Sequence, residues 1–182
     1  MKPEPVLTLA LHGTSRGFGY VVFEGPFKLH DWGTVVAKSD KNAVCLRKLG
    51  MILDRYRPEA LLLEASDRSS SLRSERIAGL YRDAAALAKK SGAEVHVYPF
   101  KEVQACFRAV GATSRQEIAE AVGRSVEALG ERVPKPRKPW DSDHRRMAVF
   151  CAAALVLTHF HLGVCRLFDD LRPEQGSGGA EG

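Results

Sequence analysis

The stretch that decides the fold is LTLALHGTSRGFGYVVFEG, residues 7–25. An apolar run ends at His12, a turn containing glycine and serine follows, and a second apolar run begins at Phe18. Two apolar runs joined by so short a turn are typical of an antiparallel hairpin. The histidine raises a question about function, because it stands at the exit of a strand that otherwise looks buried.

The pattern on either side of this hairpin predicts further strands and helices. Apolar runs bounded by Gly and Pro predict strands, and apolar residues at helical spacing predict helices. Ser114 followed three residues later by Glu117 is a capping-box pattern for the start of one helix. The predicted strands cover about residues 6–11, 18–23, 31–37, 60–64 and 93–98, and the predicted helices about 41–56, 74–91, 101–108, 114–129 and 144–163.

This order of elements predicts an α/β fold with a mixed five-stranded sheet. Three strands joined by short turns form an antiparallel meander, and two more strands are reached through helices and so run parallel. Helices then flank the sheet on both sides, which is typical of the RNase H-like fold. We expect one domain over residues 1–168, followed by a Gly-rich and disordered tail at 169–182.

Composition narrows the class of protein. The chain has 182 residues with an apolar fraction of 45% and a charged fraction of 27%, as in ordinary globular domains. No apolar stretch reaches the roughly 18 residues that a transmembrane helix needs. Four scattered cysteines and the absence of an apolar core in MKPEPV predict a cytoplasmic protein with reduced thiols. A net charge of +5 permits binding to nucleic acid.

Three stretches resemble the RuvC-like family of Holliday-junction resolvases. They are LALHGTSRGFGY at the start, LLLEASD in the fourth predicted strand, and RMAVFCAAALVLTHFH in the last predicted helix. The resemblance covers about residues 6–162. It implies a divalent-metal-dependent endonuclease, using Mg²⁺ or Mn²⁺, that cleaves branched DNA in recombination and acts as a homodimer.

The resemblance places the family's metal-binding acids at His12, Glu64, Ala148 and Cys151, and only Glu64 keeps a carboxylate. Two-metal hydrolysis needs several carboxylates, because Mg²⁺ prefers an octahedron of oxygen ligands. We therefore predict Glu64, His12 and Cys151 as the catalytic and metal-binding positions, with catalysis impaired by the two replacements.

Several interpretations of these replacements stay open. The chain could be a degenerate nuclease, or an inactive subunit that binds nucleic acid or a protein partner in a larger complex. An active enzyme would need substitute ligands, and His12, Glu64 and Cys151 could alternatively bind one Zn²⁺. Cys151 could also simply be a small buried residue. The candidate substitute ligands are Asp67, Asp141, Asp143 and His144.

Basic and hydroxyl side chains near these positions predict a nucleic-acid surface. Arg and Lys neutralise phosphates, hydroxyls donate hydrogen bonds to them, and an aromatic ring can stack on an exposed base. The predicted nucleic-acid contacts are Thr14, Ser15, Arg16, Arg68, Arg73, Lys135, Arg137, Lys138, Trp140 and Arg145. The helix predicted from Ser74 to Lys90 is the candidate surface for the homodimer.

Overall fold

The computed structural model describes residues 4–65, 72–138 and 145–170, with the backbone alone at 72–73 and 162–170. Short 3₁₀ turns follow the third and fourth helices at Arg108–Val110 and Glu127–Arg132. The strands and longer helices, in chain order, are β1 Leu7–Gly13, β2 Gly17–Glu24, β3 Lys28–Val36, α1 Lys41–Tyr56, β4 Ala60–Glu64, α2 Leu72–Lys90, β5 Glu94–Tyr98, α3 Phe100–Phe107, α4 Arg115–Ser125 and α5 Arg145–Asp170.

The strands form one five-stranded sheet in the order β3-β2-β1-β4-β5. β1 pairs antiparallel with β2 and β2 with β3, whereas β4 pairs parallel with both β1 and β5. The predicted mixed sheet is therefore confirmed. Because β4 and β5 are parallel, both strands end at the same edge of the sheet, and β1 ends there too.

Alternation along the strands separates two apolar cores, one on each face of the sheet. Leu9, Leu11, Leu61 and Leu63 pack with α1 and α2 on one face, and all four are almost fully buried. Ala10 and Leu62 face the other side, where α4 and α5 cover the sheet. His12 and Glu64 continue this second series by alternation, so both belong to the face covered by α5.

Helix α5 comes unusually close to the sheet at Gly19. A Cβ atom at Gly19 would lie 2.7 Å from the Cβ of Ala148, so only glycine fits beneath the start of this helix. Gly19 is the partner of His12 in the β1–β2 register. The first turns of α5 are thereby placed over the end of β1.

Two element boundaries differ from the sequence expectations. The helix predicted over 114–129 ends at Ser125, where Val126 is extended at φ −116° and the hydroxyl of Ser125 donates to the carbonyl of Ala121. β3 begins at Lys28, three residues earlier than predicted, because its pairing with β2 extends across a bulge. The capping box of Ser114 and Glu117 is confirmed.

The last helix extends beyond its predicted end to Asp170, while residues 171–182 of the predicted tail lie outside the described part of the chain. None of the helices that the structure describes combines the length and apolar character needed to cross a membrane.

Candidate functional site

The candidate site lies where β1 and β4 end on the face covered by α5. Leu11 pairs with Leu63 in the parallel ladder, so the next step along both strands brings His12 beside Glu64. The Nδ1 atom of His12 lies 3.6 Å from Oε2 of Glu64. Glu64 is only 9% exposed, which is unusual for a carboxylate and requires a partner that offsets its loss of hydration.

That partner is Arg115, the first residue of α4. Its two terminal nitrogens donate to the two carboxylate oxygens of Glu64, at 3.0 Å to Oε2 and 2.5 Å to Oε1. This is a bidentate ion pair, in which the planar guanidinium matches the carboxylate and fixes the orientation of both groups. The charge of Glu64 is therefore neutralised within the chain itself.

Further contacts fix the guanidinium of Arg115 in place. Its central carbon lies 3.9 Å from the centre of the Phe100 ring, a stacked cation–π arrangement. Burial works to lower the pKa of Arg115, but the hydrogen bonds and electrostatic interactions with Glu64 and Cys151 together outweigh it, so the pKa is raised and the group stays charged. The capping box directly after Arg115 fixes the start of α4.

Cys151 completes the centre from helix α5. A terminal nitrogen of Arg115, the one that donates to Oε2 of Glu64, lies 3.7 Å from the Cys151 sulfur. The thiol is 8% exposed and lines a cavity of about 10 Å³ with Glu64 and Phe100. His12 and Cys151 thus both lie beside the Glu64–Arg115 pair, His12 next to the carboxylate and Cys151 next to the guanidinium.

The strand that carries His12 is held from the opposite face by Tyr81 of α2. The hydroxyl of Tyr81 accepts a hydrogen bond of 2.7 Å from the backbone N–H of Gly13. Burial raises the pKa of Tyr81 well above its ordinary value, so this hydroxyl stays protonated. The buried bond fixes the end of β1, and with it the position of His12.

The side chains that the structure describes at this centre do not fit a divalent metal. Both oxygens of Glu64 are bound by Arg115, and Ala148 has no ligand atom and is packed against Gly19. Among the side chains that the structure describes, no three His, Cys, Asp or Glu residues are placed to share a metal ion. The geometry therefore does not support the metal-binding role predicted for Glu64, His12 and Cys151, with either Mg²⁺ or Zn²⁺.

The hairpin between β1 and β2 borders the centre and is fastened through its backbone. The carbonyl of Thr14 accepts a hydrogen bond from Arg76, which also donates to Asn42. Ser15 and Arg16 are exposed at the turn, so their side chains are available to a ligand. Arg76 binds the hairpin from within and so has a structural task in this fold.

The basic segment 135–138 lies beside α4. Gln116, which follows Arg115, donates a 2.7 Å hydrogen bond to the carbonyl of Pro134. Lys135, Arg137 and Lys138 come next and are exposed. Because Pro134 is bonded to the residue after Arg115, these three basic residues follow directly from a point fixed on the first turn of α4.

The other predicted site residues are placed as follows. Arg145 is exposed at the start of α5, one turn before Ala148. Arg73 lies in α2, but its side chain is not described. Several predicted residues lie outside the described part of the chain: Asp67, Arg68, Trp140, Asp141, Asp143 and His144.

Sequence reasoning missed Arg115, which is the most consequential residue of the centre. The capping box revealed the start of α4, but the partner of its first residue is 51 positions away in the chain. An acid at the end of a buried strand does require a counter-charge. That requirement was the available signal, although it cannot identify which arginine supplies the charge.

No protein-family model and no curated protein matches this sequence significantly. The fold is similar to that of T. thermophilus RuvC, solved in complex with a Holliday junction substrate, with a TM-score of 0.66 and 18% identity over 87% of this chain and 96% of that one. It is also similar to the yeast mitochondrial Holliday junction resolvase Ydc2, with a TM-score of 0.58 and 13% identity over 90% of this chain and 82% of that one.

At such low sequence identities, the structural similarity is evidence for the fold alone. It confirms the predicted RuvC-like form of the RNase H-like fold.

Proposed function

We propose that this protein binds branched DNA as a RuvC-like homodimer and has lost the two-metal cleavage of that fold. The observation that carries the proposal is the Glu64 centre. The ends of β1 and β4 meet helix α5 at this centre, which supports a RuvC-like scaffold, while Arg115 holds both carboxylate oxygens of Glu64. This arrangement supports a scaffold that still binds nucleic acid and a ligand set that no longer binds catalytic metals.

Exposed basic residues around the centre support binding to phosphates. Arg16 is exposed on the hairpin that follows His12, segment 135–138 follows Pro134, which is bonded to Gln116, and Arg145 begins the helix that carries Cys151. Each Lys or Arg that neutralises a phosphate releases a counterion, so binding should weaken steeply as salt rises. This surface contacts the backbone of the nucleic acid and therefore favours recognition of shape over sequence.

The twofold symmetry of a four-way junction supports the homodimer. Two copies related by a twofold axis present the same surface to equivalent arms of the junction. We propose α2 as the contact between copies. Sedimentation velocity should show a dimer, and a charged substitution at Ala86, which is exposed on α2, should shift it towards monomer.

The direct test measures binding and cleavage together. Labelled four-way junction, flap, duplex and single-stranded DNA are mixed with the purified protein in Mg²⁺ or Mn²⁺. We expect salt-sensitive binding with preference for the junction and no nicked product. Nicking that disappears in Glu64→Gln would contradict the loss of catalysis, and no binding to any of these DNAs would reject the function.

A pair of charge-matched triple variants tests the proposed surface. K135Q/R137Q/K138Q removes three positive charges beside the centre and should weaken junction binding by roughly 10- to 100-fold. R57Q/K89Q/K90Q removes the same charge from exposed positions just before β4 and β5 begin, at the opposite edge of the sheet. Equal losses in both variants would mean that binding follows net charge and does not depend on this surface.

A further inference from the structure

The guanidinium of Arg115 has hydrogen-bonding capacity beyond its contacts within the chain. Arginine carries five N–H donors. Glu64 accepts from two of them and Cys151 from one, and no other residue in the described part of the chain accepts from the remaining two. The side chain of Arg115 is 39% exposed, so a ligand can reach it even though its partner Glu64 is buried.

Two residues fix the position of this cation. Phe100 stacks on one face of the guanidinium, and Glu64 holds its edge through two hydrogen bonds. A donor that is already oriented loses little conformational entropy when a ligand binds. A planar guanidinium also matches the oxygens of a phosphate group.

We propose that Arg115 is a phosphate-binding residue and serves as the fixed cation of this site in place of a divalent metal. The guanidinium, oriented by Glu64 and Phe100, donates its remaining N–H groups to a backbone phosphate of the bound nucleic acid. This proposal rests on the proposed binding of nucleic acid, and it names one residue and one contact through which that binding occurs.

Under this proposal, Glu64 affects phosphate binding in the opposite direction from a carboxylate in a metal site. In a metal site the carboxylate holds the cation, so its loss weakens binding to the phosphate. Here the cation is a side chain of the protein itself. The negative charge of Glu64 lies on the other side of the guanidinium from the phosphate and repels it. Replacing Glu64 by Gln keeps a hydrogen-bond acceptor for Arg115 and removes that repulsion.

The main experiment measures the affinity for a fluorescent four-way junction by anisotropy, in EDTA and at several salt concentrations. R115Q should bind roughly 5- to 10-fold more weakly, and its dependence of log K on log salt should fall by about 0.9. R115K should recover part of the loss, because it restores the charge without the planar fork. E64Q should bind roughly 2- to 5-fold more tightly than the wild type.

R124Q is the matched control for charge. Arg124 lies on the same helix, is exposed, and lines a different pocket together with Cys106 and His161. R124Q should stay within roughly twofold of the wild type. If R115Q binds as R124Q does, or if E64Q weakens binding as much as R115Q does, the proposal is overturned. Thermal unfolding checks each variant first, and E64Q with R115K decides the matter if R115Q does not fold.

A second measurement separates this proposal from the proposed function. Pyrophosphate is titrated into ¹⁵N-labelled wild-type protein, and the Arg115 Nε–H resonance is assigned by its loss in R115K. A saturable shift of that resonance supports the phosphate contact even if the wild type binds no junction. No shift at any concentration overturns the contact, whatever the DNA measurements show.

Discussion

The buried carboxylate of Glu64 and the half-buried carboxylate of Asp31 are stabilised in different ways. Glu64, at the end of β4, is held by a guanidinium through two charged hydrogen bonds. Asp31, on the edge strand β3, accepts from the hydroxyls of Tyr20 and Tyr56 at 3.1 Å and 2.7 Å. One acid has a full opposite charge as its partner, and the other has two neutral donors.

The difference determines how easily a ligand or a metal ion can bind to each carboxylate. Asp31 lines an open groove of about 470 Å³ between β3 and α1, so water can supply further hydrogen bonds there. Glu64 is enclosed, and its charge is matched by a cation on the same chain. A bound metal would have to displace that cation at the Glu64 centre, whereas no such cost arises for a ligand in the groove.

Breaking the Glu64 centre should have the largest effect on stability. In R115Q the buried carboxylate loses its cation, and the free energy of unfolding should fall by about 1–3 kcal/mol, less than for a fully buried pair because Arg115 is partly exposed. Urea denaturation of R115Q and the control R124Q measures this. Equal stability in the two variants would contradict a structural role for the pair.

Rebuilding a carboxylate set should show whether Arg115 blocks metal binding. H12D/C151D restores two acids but leaves Arg115 bound to Glu64. The triple variant H12D/C151D/R115Q should bind Mg²⁺ roughly tenfold more tightly than the double variant, which corresponds to about 1.4 kcal/mol. Calorimetry measures both affinities. Equal affinities would mean that the guanidinium gives way to a metal without cost.

Removing the charge of Asp31 should have a smaller effect on stability than breaking the Glu64 centre. Burial first, and then the charge and hydrogen bond of Asp31, raise the pKa of Tyr20 to about 12. In D31N the pKa of Tyr20 should fall towards 10 without reaching it, because burial remains. Unfolding should become easier by no more than about 1 kcal/mol, the scale of a single hydrogen bond. Carbon-13 NMR of the tyrosine ring follows the titration, and an unchanged pKa would contradict the contact.

The smallest effect concerns the cap that positions Arg115. Hydrogen bonds from Ser114 and Thr113 lower the pKa of Glu117 to about 2. A lowered pKa in the folded state stabilises the fold above the ordinary value near 4.5, and this contribution is lost as pH falls towards 2. E117Q keeps the capping geometry without the charge. The stability difference between wild type and E117Q should therefore shrink between pH 4.5 and 2, and a constant difference would contradict this cause.

Local pattern was enough to predict most of the fold and part of the centre. The turn GTSRG predicted the hairpin, continuous apolar runs predicted β4 and β5, and Ser114 with Glu117 predicted the start of α4. The end of that helix was predicted wrongly: Val126 is extended and buried in the core, and no local signal in the sequence indicates this.

The sequence by itself determined the order of the strands along the chain, the mixture of antiparallel and parallel strands, and the place of Glu64 at the end of a buried strand. These follow from periodicity and short turns, which act between residues close in the chain. Only the tertiary structure decided that Arg115 meets Glu64, and chain-local rules even disfavour a cation at the first residue of a helix. The ion pair forms because the sheet and α4 bring together charges 51 residues apart, where a buried carboxylate is stable only with a cation beside it.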